Sequence, residues 1–181
     1  MNTVHSIRTR LVGSALVVAG LAIFAGVPAH AQVFTHAAPA CVPDEGSLAS
    51  HEMVGGKFKL LAAATGTVAA RCNVIDPLDA GGLLGVWTMF QLTYQDPDGM
   101  GLNTRVRAML YRVPNVTANP VLISTVDSNT SGSIVLNTLT VMLPAGTVFD
   151  FLNNAYFVLI EVSKAPGANA DPFAAIVRLR A

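Results

Sequence analysis

Between Trp87 and Val113 the chain reads WTMFQLTYQDPDGMGLNTRVRAMLYRV, two alternating runs separated by a cluster of turn formers. In the first run Phe90, Leu92 and Tyr94 fall on one side of an extended chain, and Gln91, Thr93 and Gln95 on the other. In the second, Val106, Ala108 and Leu110 alternate with Arg105, Arg107 and Met109. A helix would scatter these side chains around its circumference. The period of two therefore selects strands, each with one dry and one largely wet face. The segment between them, Asp96-Pro97-Asp98-Gly99-Met100-Gly101-Leu102-Asn103, supplies turn chemistry, so the pair reads as a β-hairpin. Its dry face needs a second sheet to cover it.

The rest of the chain offers that sheet. Strand patterns run over 57–64, 67–75, 121–126, 133–143, 148–152, 156–163 and 173–180, separated by turn clusters at 76–82, 114–120, 127–132, 144–146 and 165–172. In 67–75 Val68, Ala70, Cys72 and Val74 share a face; in 173–180 Phe173, Ala175, Val177 and Leu179 do. The run from Tyr156 to Ser163 is apolar on both faces in its first half, which suits a central strand. No helical period persists for three turns, and no internal repeat aligns. The expected fold is all-β: a single two-sheet antiparallel sandwich of eight or nine strands, jelly-roll or immunoglobulin-like, with a closed barrel as the second choice.

At the N-terminus Arg8 and Arg10 precede an uncharged apolar run, 11–26, and then Val27-Pro28-Ala29-His30-Ala31. A basic start, an apolar stretch too short to span a bilayer comfortably and a small-residue end make residues 1–31 a secretory signal peptide cleaved before Gln32, in preference to an uncleaved anchor. No adjacent arginines and no early cysteine point to twin-arginine or lipoprotein processing. Loss of Arg8 and Arg10 from the 11 basic residues leaves nine against 11 acidic ones. A near-neutral chain without a basic run gives no electrostatic reason to expect nucleic acid or an anionic membrane surface, and no stable membrane anchor remains after cleavage. Residues 32–56, rich in Ala, Pro and Gly, read as an irregular N-terminal arm ahead of a β-sandwich domain at 57–181.

Cys41 and Cys72 are the only cysteines. An even pair in an exported, oxidised chain reads as one disulfide; a metal site would need more ligands than these two with His36 and His51 provide.

For function, the Asp96 to Asn103 loop is the first candidate. Asp96, Asp98 and Asn103 could converge oxygens on calcium, although the loop lacks the third acidic position and terminal Glu of an EF-hand. The plainer reading is a turn whose Asp residues cap backbone amides. Asp127, Ser128 and Asn129 belong to another loop that sequence alone does not place at either end of a sandwich. Tyr111, on the face of Arg105 and Arg107, is the aromatic most suited to an exposed ligand platform; Trp87 and Tyr94 read as core, and Tyr156 as a side chain tied to a neighbouring turn. Catalytic residues are not evident: there is no G-x-S-x-G elbow, and His36 and His51 sit in the arm. Asn115-Val116-Thr117 and Asn129-Thr130-Ser131 match the glycosylation pattern by chance in a chain with a bacterial type of signal.

Cys41, Gly66-Thr67-Val68 through Arg71-Cys72-Asn73-Val74, Leu92-Thr93-Tyr94-Gln95-Asp96-Pro97-Asp98-Gly99 and Phe149-Asp150-Phe151-Leu152-Asn153-Asn154-Ala155-Tyr156 together resemble a group of small exported bacterial proteins of uncharacterised function. The resemblance spans most of the mature chain, implies no activity or site residue, and supports pairing of Cys41 with Cys72. The expectation is a secreted, periplasmic or extracellular, non-enzymatic binding or structural module without cofactor. Alternatives are a calcium-assisted carbohydrate-binding domain, with a glycan or another protein as partner, and a hydrolase with an unrecognised site.

Overall fold

A computed structural model describes residues 33–75 and 87–181. The signal peptide at 1–31 and the loop at 76–82 lie outside the described residues. Eleven strands are present: β1 (Phe34–Ala37), β2 (Val42–Pro43), β3 (His51–Val54), β4 (Lys57–Leu60), β5 (Gly66–Val74), β6 (Met89–Gln95), β7 (Thr104–Pro114), β8 (Val121–Asp127), β9 (Asn137–Met142), β10 (Asn154–Lys164) and β11 (Phe173–Arg180). Every pairing is antiparallel. One sheet runs β3-β4-β11-β6-β9, with β1 added along β11; the other runs β2-β5-β10-β7-β8. From β4 to β11 this is the strand order of a jelly roll, so the immunoglobulin-like and barrel alternatives are set aside.

The alternation read from the sequence sets the inner faces. Phe90, Leu92 and Tyr94 of β6 are fully buried, as are Val106, Ala108 and Leu110 of β7 and Val158, Ile160 and Val162 of β10. At one end Trp87 meets Phe149 edge-on, with ring centroids 4.7 Å apart, and Phe149 meets Tyr156 at 4.9 Å. The Tyr156 hydroxyl accepts the Asp150 N–H at 2.9 Å, the turn-tying role expected of it. Cys41 and Cys72 form the disulfide, with Cα atoms 4.5 Å apart.

Two expectations are corrected. The Trp87 to Val113 stretch is not a hairpin: β6 pairs with β11 and β9, β7 with β10 and β8, and the Asp96 to Asn103 segment crosses from one sheet to the other. Alternation specifies which face of a strand is dry, not which strand lies beside it. Two dry faces are buried as well by facing one another across a sandwich as by lying side by side, and eight residues are ample to cross a gap of about 10 Å between sheets. The arm is also not irregular, for residues 33–56 contribute β1, β2 and β3. These strands are too short to display a period, and they are held by backbone pairing to β11, β5 and β4. They raise the strand number above the expected nine, while 148–152 forms no strand.

Candidate functional site

The outward side chains of the five-stranded sheet form rows across its strands. Because β10 pairs in register with both β5 and β7, Asn73, Phe157 and Tyr111 make one row, Arg71, Leu159 and Met109 the next, Ala69, Glu161 and Arg107 a third, and Thr67, Ser163 and Arg105 a fourth. On β8, Leu122 extends the first row and Asp127 the third. From Tyr111 to Arg105 this face is about 20 Å long at strand rise.

Its upper part is apolar. The Tyr111 and Phe157 rings stack with centroids 5.0 Å apart and planes 16° from parallel. The Arg71 guanidinium lies 5.5 Å from the Phe157 centroid and is bonded to Asp44 at 3.1 Å. Phe157 therefore has Tyr111 and a cation as neighbours, whereas Tyr111 has no second ring or cation against it among the described residues. Its hydroxyl donates to the Met109 sulfur at 3.6 Å.

The lower part is polar with its charges matched. Arg107 donates to Glu161, through Nε at 2.7 Å and through the terminal nitrogen; Arg105 does the same to both oxygens of Asp127, through Nε at 3.0 and 3.1 Å. Burial alone pushes the Asp127 carboxyl up, but Arg105 and the Asn129 N–H hold it below its ordinary value, and the Asp127 hydrogen bond raises Arg105 in turn. Below Arg105 the face opens into a cleft of about 370 Å³ lined by Thr67, Leu102, Asn103, Asn129, Ser163 and Lys164. The structure thus brings Tyr111, Arg105, Arg107 and Asn103 onto one line.

Asp96 and Asp98 lie behind that cleft and are used differently. Asp96 has no exposed surface; it faces the hydroxyls of Thr104, at 2.5 Å, and Ser128. The same Thr104 hydroxyl meets Asp98, whose other oxygen accepts the N–H groups of Asn103 at 2.8 Å and Thr104 at 3.2 Å. One hydroxyl hydrogen cannot serve two carboxylates. The Thr104 hydroxyl is shared between the two carboxyls, so the state of one bears on the other. Burial is the main reason the Asp96 carboxyl is raised above its ordinary value, against the lowering effect of Ser128 and Thr104. Burial would also raise Asp98, but Thr104 and the backbone amides outweigh it and hold it below. The Asp96 and Asp98 oxygens thus meet hydroxyls and amides, and Asn103 contributes its N–H here. Ser128 also accepts the Val106 N–H at 2.8 Å, and Asn129 donates to the Gly101 carbonyl at 2.9 Å, so the loop after β8 belongs to this same end of the sandwich.

Phe157, Arg71, Asp44, Glu161 and the Ser128 contact were not singled out from sequence. Only Phe157 left a signal: apolar residues on both faces of β10 put a large ring where a polar one would suffice.

On the outer face of the other sheet, Lys57, Lys59, Gln95, Asp171 and Phe173 line a cleft of about 400 Å³. Lys59 is bonded there to Glu52 at 2.6 Å and lies 3.7 Å from Asp171, while Lys57 sits 4.3 Å over the Phe173 ring.

No protein-family model matches the chain, and no curated protein does. Among solved structures, a family 29 carbohydrate-binding module is 12% identical over 85% of this chain and 84% of that one, with a TM-score of 0.32. A family 28 module specific for non-crystalline cellulose is 13% identical over 79% and 92%, with a TM-score of 0.30. The Agl-KA catalytic domain is 11% identical over 82% and 25%, with a TM-score of 0.34. Such scores lie below those of chains that share a fold in detail.

Proposed function

We propose that this domain is an exported, non-catalytic module that holds a neutral saccharide chain along the outer face of the five-stranded sheet. The observation that carries the reading is the juxtaposition, on one line of β7 and β10, of an apolar aromatic band and pre-paired Arg–carboxylate groups. A sugar ring offers an apolar C–H face and a rim of hydroxyls that both donate and accept. The Tyr111 ring, Phe157, Leu159 and Met109 suit the first, and guanidinium donors beside carboxylate acceptors suit the second. Because the arginines are already neutralised, the face has no net attraction for an acidic polymer. Tyr111, Arg105 and Arg107 are the ligand-binding residues in this reading, with Asn103 at the cleft.

Calcium has no part in it, since Asp96 is sealed and Asp98 staples its own loop. Hydrolysis is disfavoured on the same ground, for Asp96 has no exposed surface and Asp98 is held by its own loop, so the two do not form an acid pair open to a glycosidic bond. The disulfide suits an oxidising compartment, in keeping with export.

Titration calorimetry of the mature, oxidised protein against soluble neutral β-glucans, chitin oligomers and an acidic polysaccharide, with calcium and with chelator, tests the proposal. Binding to a neutral polymer that is indifferent to calcium and weakened about tenfold or more by Tyr111→Ala and by Arg107→Ala is the expected result. Absence of binding to every polymer, or binding that Tyr111→Ala leaves intact, would overturn it.

A further inference from the structure

The edges of the two sheets are treated unequally. On one side of the sandwich β2 is only two residues long and contains Pro43, and β3 carries Glu52 bonded to Lys59 of β4. Short strands, proline and edge charges are the devices that stop a sheet from adding another strand. On the opposite side β9 is the edge of the six-stranded sheet, and among the described residues nothing pairs with its far side. It has none of those devices. From Ser128 to Leu143 the chain contains no charged residue and no proline. Its outer-face residues are Thr138, Thr140 and Met142, and the three residues leading into it, Ile134, Val135 and Leu136, are 58, 63 and 59% exposed; Met142 is 68% exposed. The neighbouring edge β8, below it in the other sheet, is also uncharged from Val121 to Val126. An uncharged, β-prone, unguarded edge is an invitation to pair.

The pattern along β9 also says with what. A strand that meets its own copy antiparallel about a two-fold axis through Leu139 sets Thr138 opposite the partner's Thr140, and Leu136 opposite the partner's Met142. Thr138, Thr140 and Met142 share the outer face of β9 and the exposed Leu136 immediately precedes it, so threonine meets threonine and apolar meets apolar, twice each by symmetry. No charge is left to repel, and the exposed Leu136 and Met142 side chains are covered at both ends. With the axis normal to the sheet, β8 comes alongside its own copy in the second layer, where its uncharged run fits the same neighbour. We infer that β9 is an interface for a second copy of this chain, joining two six-stranded sheets edge to edge through an antiparallel β9–β9 pair centred on Leu139.

The register makes the test specific. Thr138 and Thr140 face solvent, and among the described residues their hydroxyls bond to Thr93 and Gln91, so charged replacements are expected to leave the monomer folded. In Thr138→Lys/Thr140→Lys the pairing would oppose lysine to lysine, and in Thr138→Glu/Thr140→Glu, glutamate to glutamate. Mixing the two variants would set each lysine opposite a glutamate. Sedimentation equilibrium of the full mature chain should show a concentration-dependent wild-type dimer. Its dissociation constant should rise about tenfold or more in either double variant alone, and an equimolar mixture should recover a heterodimer, with thermal melts confirming that each variant is folded. A wild-type chain that stays monomeric at every concentration reached would overturn the inference. A dimer unaffected by either double variant, or variants whose mixture does not associate, would do so as well.

Discussion

Asp96 and Asp98 stand two residues apart in one loop, yet replacing each by asparagine should have opposite consequences. In the folded protein Asp96 is sealed and faces the Ser128 and Thr104 hydroxyls, the second of which also meets Asp98. Asparagine is a neutral group of the same shape: its amide N–H donates to the Thr104 oxygen, and its carbonyl accepts from Ser128. Because burial penalises the ionised Asp96, Asp96→Asn should leave the fold at least as stable as the wild type near neutral pH. Asp98 is ionised and accepts three hydrogen bonds, from Thr104 Oγ1, Asn103 N and Thr104 N. Asp98→Asn removes the charge behind those bonds, a loss of about 2 kcal/mol. For a domain of this size that corresponds to a fall of roughly 4–8 °C in Tm. The pH dependences also differ. The raised pKa of Asp96 means that its contribution is present below its unfolded pKa and is lost as pH rises through the folded value. The lowered pKa of Asp98 means a contribution present above its unfolded value and lost as pH falls through the folded one. Urea titrations at about pH 3, about pH 5 and about pH 8 should show Asp96→Asn gaining on the wild type toward the highest pH, and the Asp98→Asn deficit shrinking only toward the lowest. Equal losses for the two variants at neutral pH would refute the opposite environments assigned to the two carboxyls.

Removing the Cys41–Cys72 bond with a double alanine variant releases a loop with a sequence separation of 31, which on chain entropy costs about 3–4 kcal/mol; a Tm drop of roughly 6–16 °C, matched by reduction of the wild type, checks this. Tyr156→Phe deprives the Asp150 N–H of its acceptor and should cost about 1 kcal/mol in urea unfolding, with hydrogen exchange quickening in the 148–153 turn.

The sequence made faces legible and left neighbours hidden. Phe90, Leu92 and Tyr94, or Val106, Ala108 and Leu110, declare their dry side by period alone, and the turn clusters bound them. Nothing in that period says that β6 and β7 lie in different sheets, because the crossing loop carries the same Asp, Pro and Gly that a hairpin would. β1, with four residues, is set by hydrogen bonds from β11 to its backbone, which no side-chain pattern records. In the candidate site, Tyr111, Arg105 and Arg107 were legible because they share one strand. Their companions were not: Glu161 and Phe157 come from β10, some fifty residues on, and Ser128 reaches Asp96 across a separation of 32. Such contacts exist only once the sheets are assembled.

The N-terminal strands have a mechanical consequence. β1 belongs to one sheet and β2 to the other, and between them Cys41 is bonded to Cys72 within β5. Tension applied ahead of Phe34 would strip the four residue pairs of β1 from β11 and then arrive at Cys41. From there the load passes through sulfur directly to Cys72, so residues 42–71, with β2, β3, β4 and most of β5, are bypassed and carry no strain. The force instead enters beside β10, the central strand of the five-stranded sheet. The domain would yield a short length of slack at low force and then hold as a single body, a tether with a built-in stop.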